Sequence, residues 1–302
     1  MHDDSFILVH FTIKINNMFE ININKALRLI MLSGLIFTLS INSVKSQFYY
    51  SEWLSNADAA AEWKSMKNTN FRIAKMTCYE TDDVLNNSFF CEKKYSKDYL
   101  KSTLLTRTSE FGKSKLITEY HSDGRLKSTY DSSAQSVRKT SFFYDSQNRL
   151  YQTINVAKSN DDDFVTEIKE AHTYVYNSKG FPEELIRVKN DIDSNIILFY
   201  PDEFGNVAME KDIRIGSLFY YYYDSSQRIT DIVMINDFKK NMLPDYLFDY
   251  DENGNLIQMK TMDGPASSYT TWRYEYDQGL KKRALIYNSK GTLMNRFEYT
   301  YK

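Results

Sequence analysis

The sequence predicts an all-β fold: an antiparallel repeat of β-hairpins forming a curved open sheet or partial barrel, with one short N-terminal helix. Three observations carry that prediction. A segment of the form Tyr-Asp-x-x-Gly-Arg/Asn-Leu, with near copies, recurs at Tyr120, Tyr144, Tyr176, Tyr200, Tyr223, Tyr250 and Tyr276, at spacings of 24, 32, 24, 23, 27 and 26 residues, a period typical of stacked supersecondary units. Aromatic residues stand two apart on the segments that lead into these copies, as at Trp272, Tyr274 and Tyr276, the spacing that places them on one face of a strand. A single stretch, Ser55 to Met66, combines good helix formers with an Asn56 or Ser55 cap.

The elements follow in order along the chain. Residues 1–46 read as an over-extended start plus a signal peptide. The apolar stretch Leu29 to Ile41 follows Lys25 and Arg28 and ends at Asn42-Ser43-Val44-Lys45-Ser46, with compact residues three and one before Gln47, the pattern of a cleaved secretory signal. It is short for a membrane span, which takes about 20 residues. Met1 to Asn17 fit no signal pattern, and Met18 would give a precursor of ordinary length. The expected destination is the periplasm, the cell surface or the extracellular space.

Residues 47–103 read as an N-terminal helix and a cysteine-paired cap. Trp53 and Trp63 are expected to pack the helix over one end of the sheet, covering an edge strand. Cys78 and Cys91 are the only cysteines, and in an exported protein a disulfide between them is the default expectation.

Residues 104–302 carry the hairpins. In Tyr250-Asp251-Glu252-Asn253-Gly254-Asn255-Leu256, the Asp251 carboxylate folds back onto backbone N–H groups and Gly254 supplies a left-handed residue, the chemistry of a type I turn closed by a glycine bulge. Asn148 fills the glycine place after Tyr144, Gln227 fills it after Tyr223, and Tyr200-Pro201 carries an extra residue before Gly205. An eighth copy at Tyr287 falls out of step. The glycines therefore punctuate turns and form no phosphate-binding loop. Rings two apart on neighbouring hairpins line up into a ladder, each buried ring contributing roughly 1.5–3 kcal/mol.

With the turns laid out, the region Tyr120 to Tyr301, about 60% of the chain, resembles the YD-repeat (RHS-type) family of exported bacterial β-repeat proteins. Tyr120-His121-Ser122-Asp123-Gly124-Arg125-Leu126 and Tyr144-Asp145-Ser146-Gln147-Asn148-Arg149-Leu150 carry the likeness best. The resemblance implies an antiparallel all-β structure at the cell surface or in the periplasm, serving adhesion, carbohydrate binding or toxin encapsulation. The chain has about eight units and no toxin core motif, so it reads as a short, degenerate member.

Composition bounds the chemistry. With 302 residues, 42% hydrophobic and 26% charged, the chain is an ordinary globular protein. Without residues 1–46 it holds 34 basic and 37 acidic residues, a net charge of −3, and its longest basic cluster is Lys281-Lys282-Arg283; a nucleic-acid partner needs a basic face. Only His121 and His172 remain for histidine chemistry and no Gly-x-Ser-x-Gly turn occurs, which leaves little for a hydrolytic triad or a zinc site. Asp249 to Gly254 imitate half a calcium loop, but Lys260 stands where a bidentate glutamate belongs. The expectation is an exported non-enzymatic binding or surface-scaffold protein that takes a glycan or a cell-surface protein, without cofactor or metal. Tyr220, Tyr222 and Trp272 are its candidate binding rings. The alternatives are an outer-membrane β-barrel, set against a mean hydropathy of −0.53, and an enzyme acting on envelope polysaccharide.

Overall fold

The computed structural model describes residues 49–160, 167–236, 239, 242–263 and 268–302, within a compact unit Phe48–Lys302. The signal peptide expected at 1–46 and the acidic run 161–163 lie outside the described residues. One helix, α1 (Tyr50–Asn68), precedes the strands. The first six are β1 (Ile73–Glu80), β2 (Phe90–Tyr95), β3 (Lys101–Thr108), β4 (Gly112–Tyr120), β5 (Leu126–Ser133) and β6 (Ser136–Tyr144). Next come β7 (Leu150–Ser159), β8 (Glu167–Tyr176), β9 (Pro182–Lys189), β10 (Asp193–Pro201), β11 (Val207–Asp212) and β12 (Leu218–Tyr223). The last six are β13 (Ile229–Ile235), β14 (Tyr246–Tyr250), β15 (Leu256–Asp263), β16 (Ser268–Asp277), β17 (Leu280–Tyr287) and β18 (Leu293–Tyr301).

Each strand pairs antiparallel with its sequence neighbours, and β1 pairs with both β2 and β18. The 18 strands therefore close into a barrel, which removes every sheet edge. The expected open sheet or partial barrel is corrected accordingly. Twisted sheets rarely pass about 10 strands without curling, and here the curl brings the ends together over seven residue pairs, from Ala74↔Tyr301 to Glu80↔Asn295.

The repeat turns all lie at one end of the barrel, because two strands separate each from the next. Tyr287 is out of step because its turn, Asn288 to Thr292, joins β17 to β18 at the opposite end.

Every letter of the repeat has a task. In the second copy the Asp145 carboxylate accepts the Gln147 and Arg149 N–H groups, both at 2.9 Å, and Asn148 takes the left-handed place at φ 64. Arg149 returns to Asp145 at 2.7 Å and lays its guanidinium 4.3 Å over the Tyr176 ring of the next copy. The Tyr176 hydroxyl then donates to the Leu150 carbonyl at 2.6 Å. The same latch recurs from Tyr144 to Leu126, Tyr223 to Val207, Tyr250 to Ile229, Tyr276 to Leu256 and Tyr301 to Lys281, at 2.8–3.0 Å. Each of these repeats is thus tied to its predecessor by a half-buried ring and a hydrogen bond. The ladder is broken once, at Pro201, which occupies the latch place opposite Val207 and has no hydroxyl.

These latches fix which face is which. Tyr144, Tyr176, Tyr223, Tyr250 and Tyr276 point into the barrel, so every second residue before them does too. The helix lies among these inward rings. Its start, Tyr49 and Tyr50, packs with Phe199, Val207, Phe219 and Tyr221 of β10 to β12. Its far half, Trp63 and Met66, packs with Tyr95, Tyr99, Tyr120 and Leu126. β2 and β11 stand nine strands apart in a ring of 18, so the helix crosses the lumen at the repeat-turn end. It runs from Tyr50, not Ser55, and covers no edge strand.

Candidate functional site

Inside the barrel, polar contacts concentrate where the helix meets the wall. Glu210 of β11 accepts the Tyr49 and Tyr50 N–H groups at 2.8 and 2.9 Å and the Tyr221 hydroxyl at 3.0 Å. A strand carboxylate thus caps the helix N-terminus, whose free N–H groups and dipole favour it. Burial pushes the Glu210 carboxyl up to about 7 against those three donors. Asn56 meets the Tyr144 hydroxyl at 3.0 Å. Further along, Glu62 binds Lys93 of β2 at 2.9 Å, and the Trp63 indole N–H donates to the Tyr99 carbonyl at 2.7 Å.

Between these ends lies a chain of charges. Glu52 on the helix meets His172 Nδ1 at 3.1 Å, His172 Nε2 meets Glu170 at 2.8 Å, and Arg187 meets Glu170 at 2.6 Å. Thr153 and Tyr174 donate to Glu52, both at 2.9 Å. Burial alone would lower the His172 pKa, but the Glu52 charge and the Glu170 hydrogen bond raise it to about 9. Burial would likewise raise Glu52, yet the His172 charge and the three donors hold its carboxyl below the usual range. With a carboxylate on each ring nitrogen, this imidazole has no free nitrogen to act as a base towards a nucleophile. It ties helix to wall. His121 lies edge-on to Tyr144, 5.8 Å between ring centroids, away from this group. Among the described residues no trio of His, Cys, Asp or Glu is placed to hold a metal ion.

The outer wall divides into two unlike sectors. From β14 round through β1 to β6 it carries charges at mid-strand, including Lys75, Lys115, Lys139, Lys260, Arg273 and Arg296. Many are paired: Arg283 with Glu275 and Glu298, Arg296 with Glu298 and Asp83, and Lys94 with Glu92. From β8 to β13 the wall is mostly apolar. Val175, Ile186, Ile196 and Leu198 face outward there, and the row Tyr200, Met209 and Tyr220 crosses three strands in register; Val233, opposite Tyr220, is covered at 2% exposed. Tyr200 is 41% exposed and Tyr222 44%, and exposed Ile192, Ile213 and Ile215 lie on the turns at the opposite end of these strands.

The sequence-derived binding residues separate on this geometry. Tyr220 and Tyr222 both sit in the apolar outer sector, Tyr220 half-buried. Trp272 does not join them. It faces the lumen, 1% exposed, because it shares the parity of the inward latch residue Tyr276, and it is corrected to a core ring. Tyr200 was the ring to add: the extra Pro201 takes the latch place and turns Tyr200 outward, a shift visible in the spacing of that copy.

The expected disulfide is also corrected. Cys78 and Cys91 are both free and buried. In the β1–β2 register Cys91 lies opposite Met76, not Cys78, and such diagonal neighbours stand about 7–8 Å apart, beyond the roughly 3.5–4.5 Å between Cβ atoms that a disulfide bridges. Burial pushes the Cys78 thiol up to about 11 and the Cys91 thiol up to about 12.

No family model matches the chain, and no curated protein matches it. Among solved structures it is similar to a porin-like protein from Bacteroides uniformis, at 12% identity over 78% of this chain and 97% of that one, with a TM-score of 0.37. A porin-like protein from Bacteroides vulgatus gives 12% identity, 77% and 99% coverage, and a TM-score of 0.30. A TcdB2-TccC3-Cdc42 structure gives 11% identity over 79% of this chain and 17% of that chain, with a TM-score of 0.29. Likenesses of this size carry no weight in assigning a function.

Proposed function

We propose that this chain is a non-enzymatic binding module of the cell envelope, a closed barrel plugged by its own helix, that holds a partner protein against the apolar outer sector of β8 to β13. It is a short relative of the YD-repeat proteins on this reading. One observation carries it: the outer wall is charged on one side and mostly aliphatic and aromatic on the other, with Tyr200, Tyr220 and Tyr222 towards the repeat-turn end of the apolar side. Contiguous apolar area of this kind marks a protein contact, and tyrosine is a favoured anchor in such contacts. Aliphatic neighbours such as Ile186 and Leu198 fit a protein surface better than a sugar.

The test is capture from the envelope fraction with tagged residues 47–302, run beside the double variant Tyr220→Ala/Tyr222→Ala. The wild type should retain a saturable partner that the variant loses, with both melting at the same temperature. Equal capture by both proteins would overturn the assignment of the sector.

A membrane-spanning barrel is the second reading, favoured by the closure of all 18 strands into a ring. Against it, a lipid-facing lysine or arginine costs about 2–4 kcal/mol at the bilayer midplane, and the paired wall from β14 to β6 carries several. The shortest strands, β14 with 5 residues and β2, β11 and β12 with 6 each, fall below the 9–11 residues of a spanning strand. Residues 47–302 should therefore stay monodisperse without detergent. A requirement for detergent would favour the second reading.

A further inference from the structure

We infer that a groove on the outer wall at β15 to β17, remote from the apolar sector, is a binding site for an acidic saccharide. The groove encloses about 530 Å³, within the range of sites for small ligands. Its floor is a row across three strands, Lys260 opposite Thr271 and Thr271 opposite Tyr287. Arg273 stands two residues beyond Thr271 on the same face, its guanidinium 5.2 Å over the Tyr287 ring. Ser268, Tyr269 and the turn residues Asn288, Ser289 and Gly291 complete the lining.

The two cations of the groove differ from the arginines beside them. Arg283 and Arg296, on the adjoining strands, each meet two carboxylates. Among the described residues the Arg273 side chain has one hydrogen-bond acceptor, the neutral side-chain oxygen of Gln258 at 3.4 Å, and Gln258 in turn donates to the Asp249 carboxylate of β14. Lys260 forms no ion pair among the described residues. Lys260 and Arg273 are diagonal neighbours on one face, within reach of each other's long side chains, and together they offer two positive charges to one ligand. A carboxylate, sulfate or phosphate group on the ligand supplies the matching anion, and Arg273 is the residue suited to grip it in two-point fashion.

The rest of the lining selects the body that carries the anion. Hydroxyl groups from Thr271, Ser268 and Ser289 line the groove beside the half-exposed Tyr269 ring, a mixture of hydrogen-bonding groups and a flat apolar face that matches a sugar ring. The Tyr269 hydroxyl is committed to the Pro244 carbonyl at 2.9 Å, which holds the ring in place. The ligand class is thus a sugar bearing an anionic group.

The test is titration calorimetry of residues 47–302 with four probes: a glucuronate-containing tetrasaccharide, a sulfated tetrasaccharide, maltotetraose and inorganic sulfate. At least one acidic tetrasaccharide should bind, at least tenfold more tightly than maltotetraose and inorganic sulfate. Lys260→Gln/Arg273→Gln should lose at least tenfold in affinity, and Tyr220→Ala/Tyr222→Ala should lose none, which separates this site from the partner sector. If the double variant unfolds, Lys260→Gln alone should weaken binding at least threefold and steepen no salt dependence. Binding of neither acidic probe, or binding of maltotetraose or sulfate within tenfold of the tighter acidic saccharide, overturns the proposal.

Discussion

The Tyr144 hydroxyl donates to the Leu126 carbonyl at 2.9 Å, reaching from one repeat to the turn of the repeat before it. The bond explains why the repeat keeps tyrosine rather than phenylalanine at this place. The ring fills the lumen, while the hydroxyl satisfies a carbonyl that the bulge leaves out of the ladder.

Tyr144→Phe should therefore destabilise the barrel by about 1–2 kcal/mol, the carbonyl being left unpaired in a half-buried place. Tyr276→Phe, several strands away, should cost a similar amount, and the two should add. Urea unfolding checks both. A neutral outcome for each would mean water takes over the carbonyl.

Two turn glycines should respond very differently to alanine. A Cβ at Gly124, φ +92, would sit 2.3 Å from the Trp63 ring, while at Gly291, φ +77, nothing lies within 4 Å. Gly291→Ala should cost about 1 kcal/mol, the left-handed penalty alone. Gly124→Ala must also displace the tryptophan that seats the helix, and should cost roughly 3 kcal/mol or more. Comparing their melting midpoints with tryptophan fluorescence checks the difference.

Stability should fall on the alkaline side. The His172 pKa is raised to about 9 in the folded chain, so its contribution is complete below about 6.5, the unfolded value, and is lost as pH rises through 9. Glu210, raised to about 7, acts in the same direction between about 4.5 and 7, since ionising it disfavours the fold. The acid side has the opposite sign: Glu170 is held down to about 2, burial being outweighed by hydrogen bonds from His172 and Arg187, so its contribution is lost only as pH falls below the usual carboxylate range. From pH 6.5 to 9 the barrel should lose roughly 2 kcal/mol, and His172→Gln should flatten that limb. An unchanged melting temperature across the window in the wild type would count against the charge chain.

Reducing agent should leave the melting temperature unchanged, since Cys78 and Cys91 are free thiols. Two thiols should titrate on unfolding without reductant. A mass lower by two hydrogens would show a bridge instead.

The turns were legible because their chemistry is local: Asp251 and Gly254 announce their geometry within a few residues. Facing was legible too, since Tyr223 points inward and parity then sends Tyr220 and Tyr222 outward. The same parity sends Trp272 inward beside Tyr276, so its place among the binding rings fails on a pattern the sequence already carries. Barrel closure was not legible, because Ala74 and Tyr301 meet across nearly the whole chain and β1 carries no repeat motif. The helix start was misplaced because its cap is Glu210, 160 residues from Tyr50, where no local signal stands. The cysteines share a lumenal face as adjacent-strand neighbours, but only the register reveals that they miss each other by two residues.

A helix of 19 residues is a rod about 28 Å long, and this one is fastened at both tips to opposite sides of the ring. It therefore acts as a gauge. A ring of hairpins grows or shrinks two strands at a time, and nothing in the turns themselves says when to stop. A wider ring would draw Glu210 and Tyr99 apart along the helix axis, and a narrower one would press the walls onto Tyr50 and Trp63. The number of repeats and the length of the helix are thus one specification.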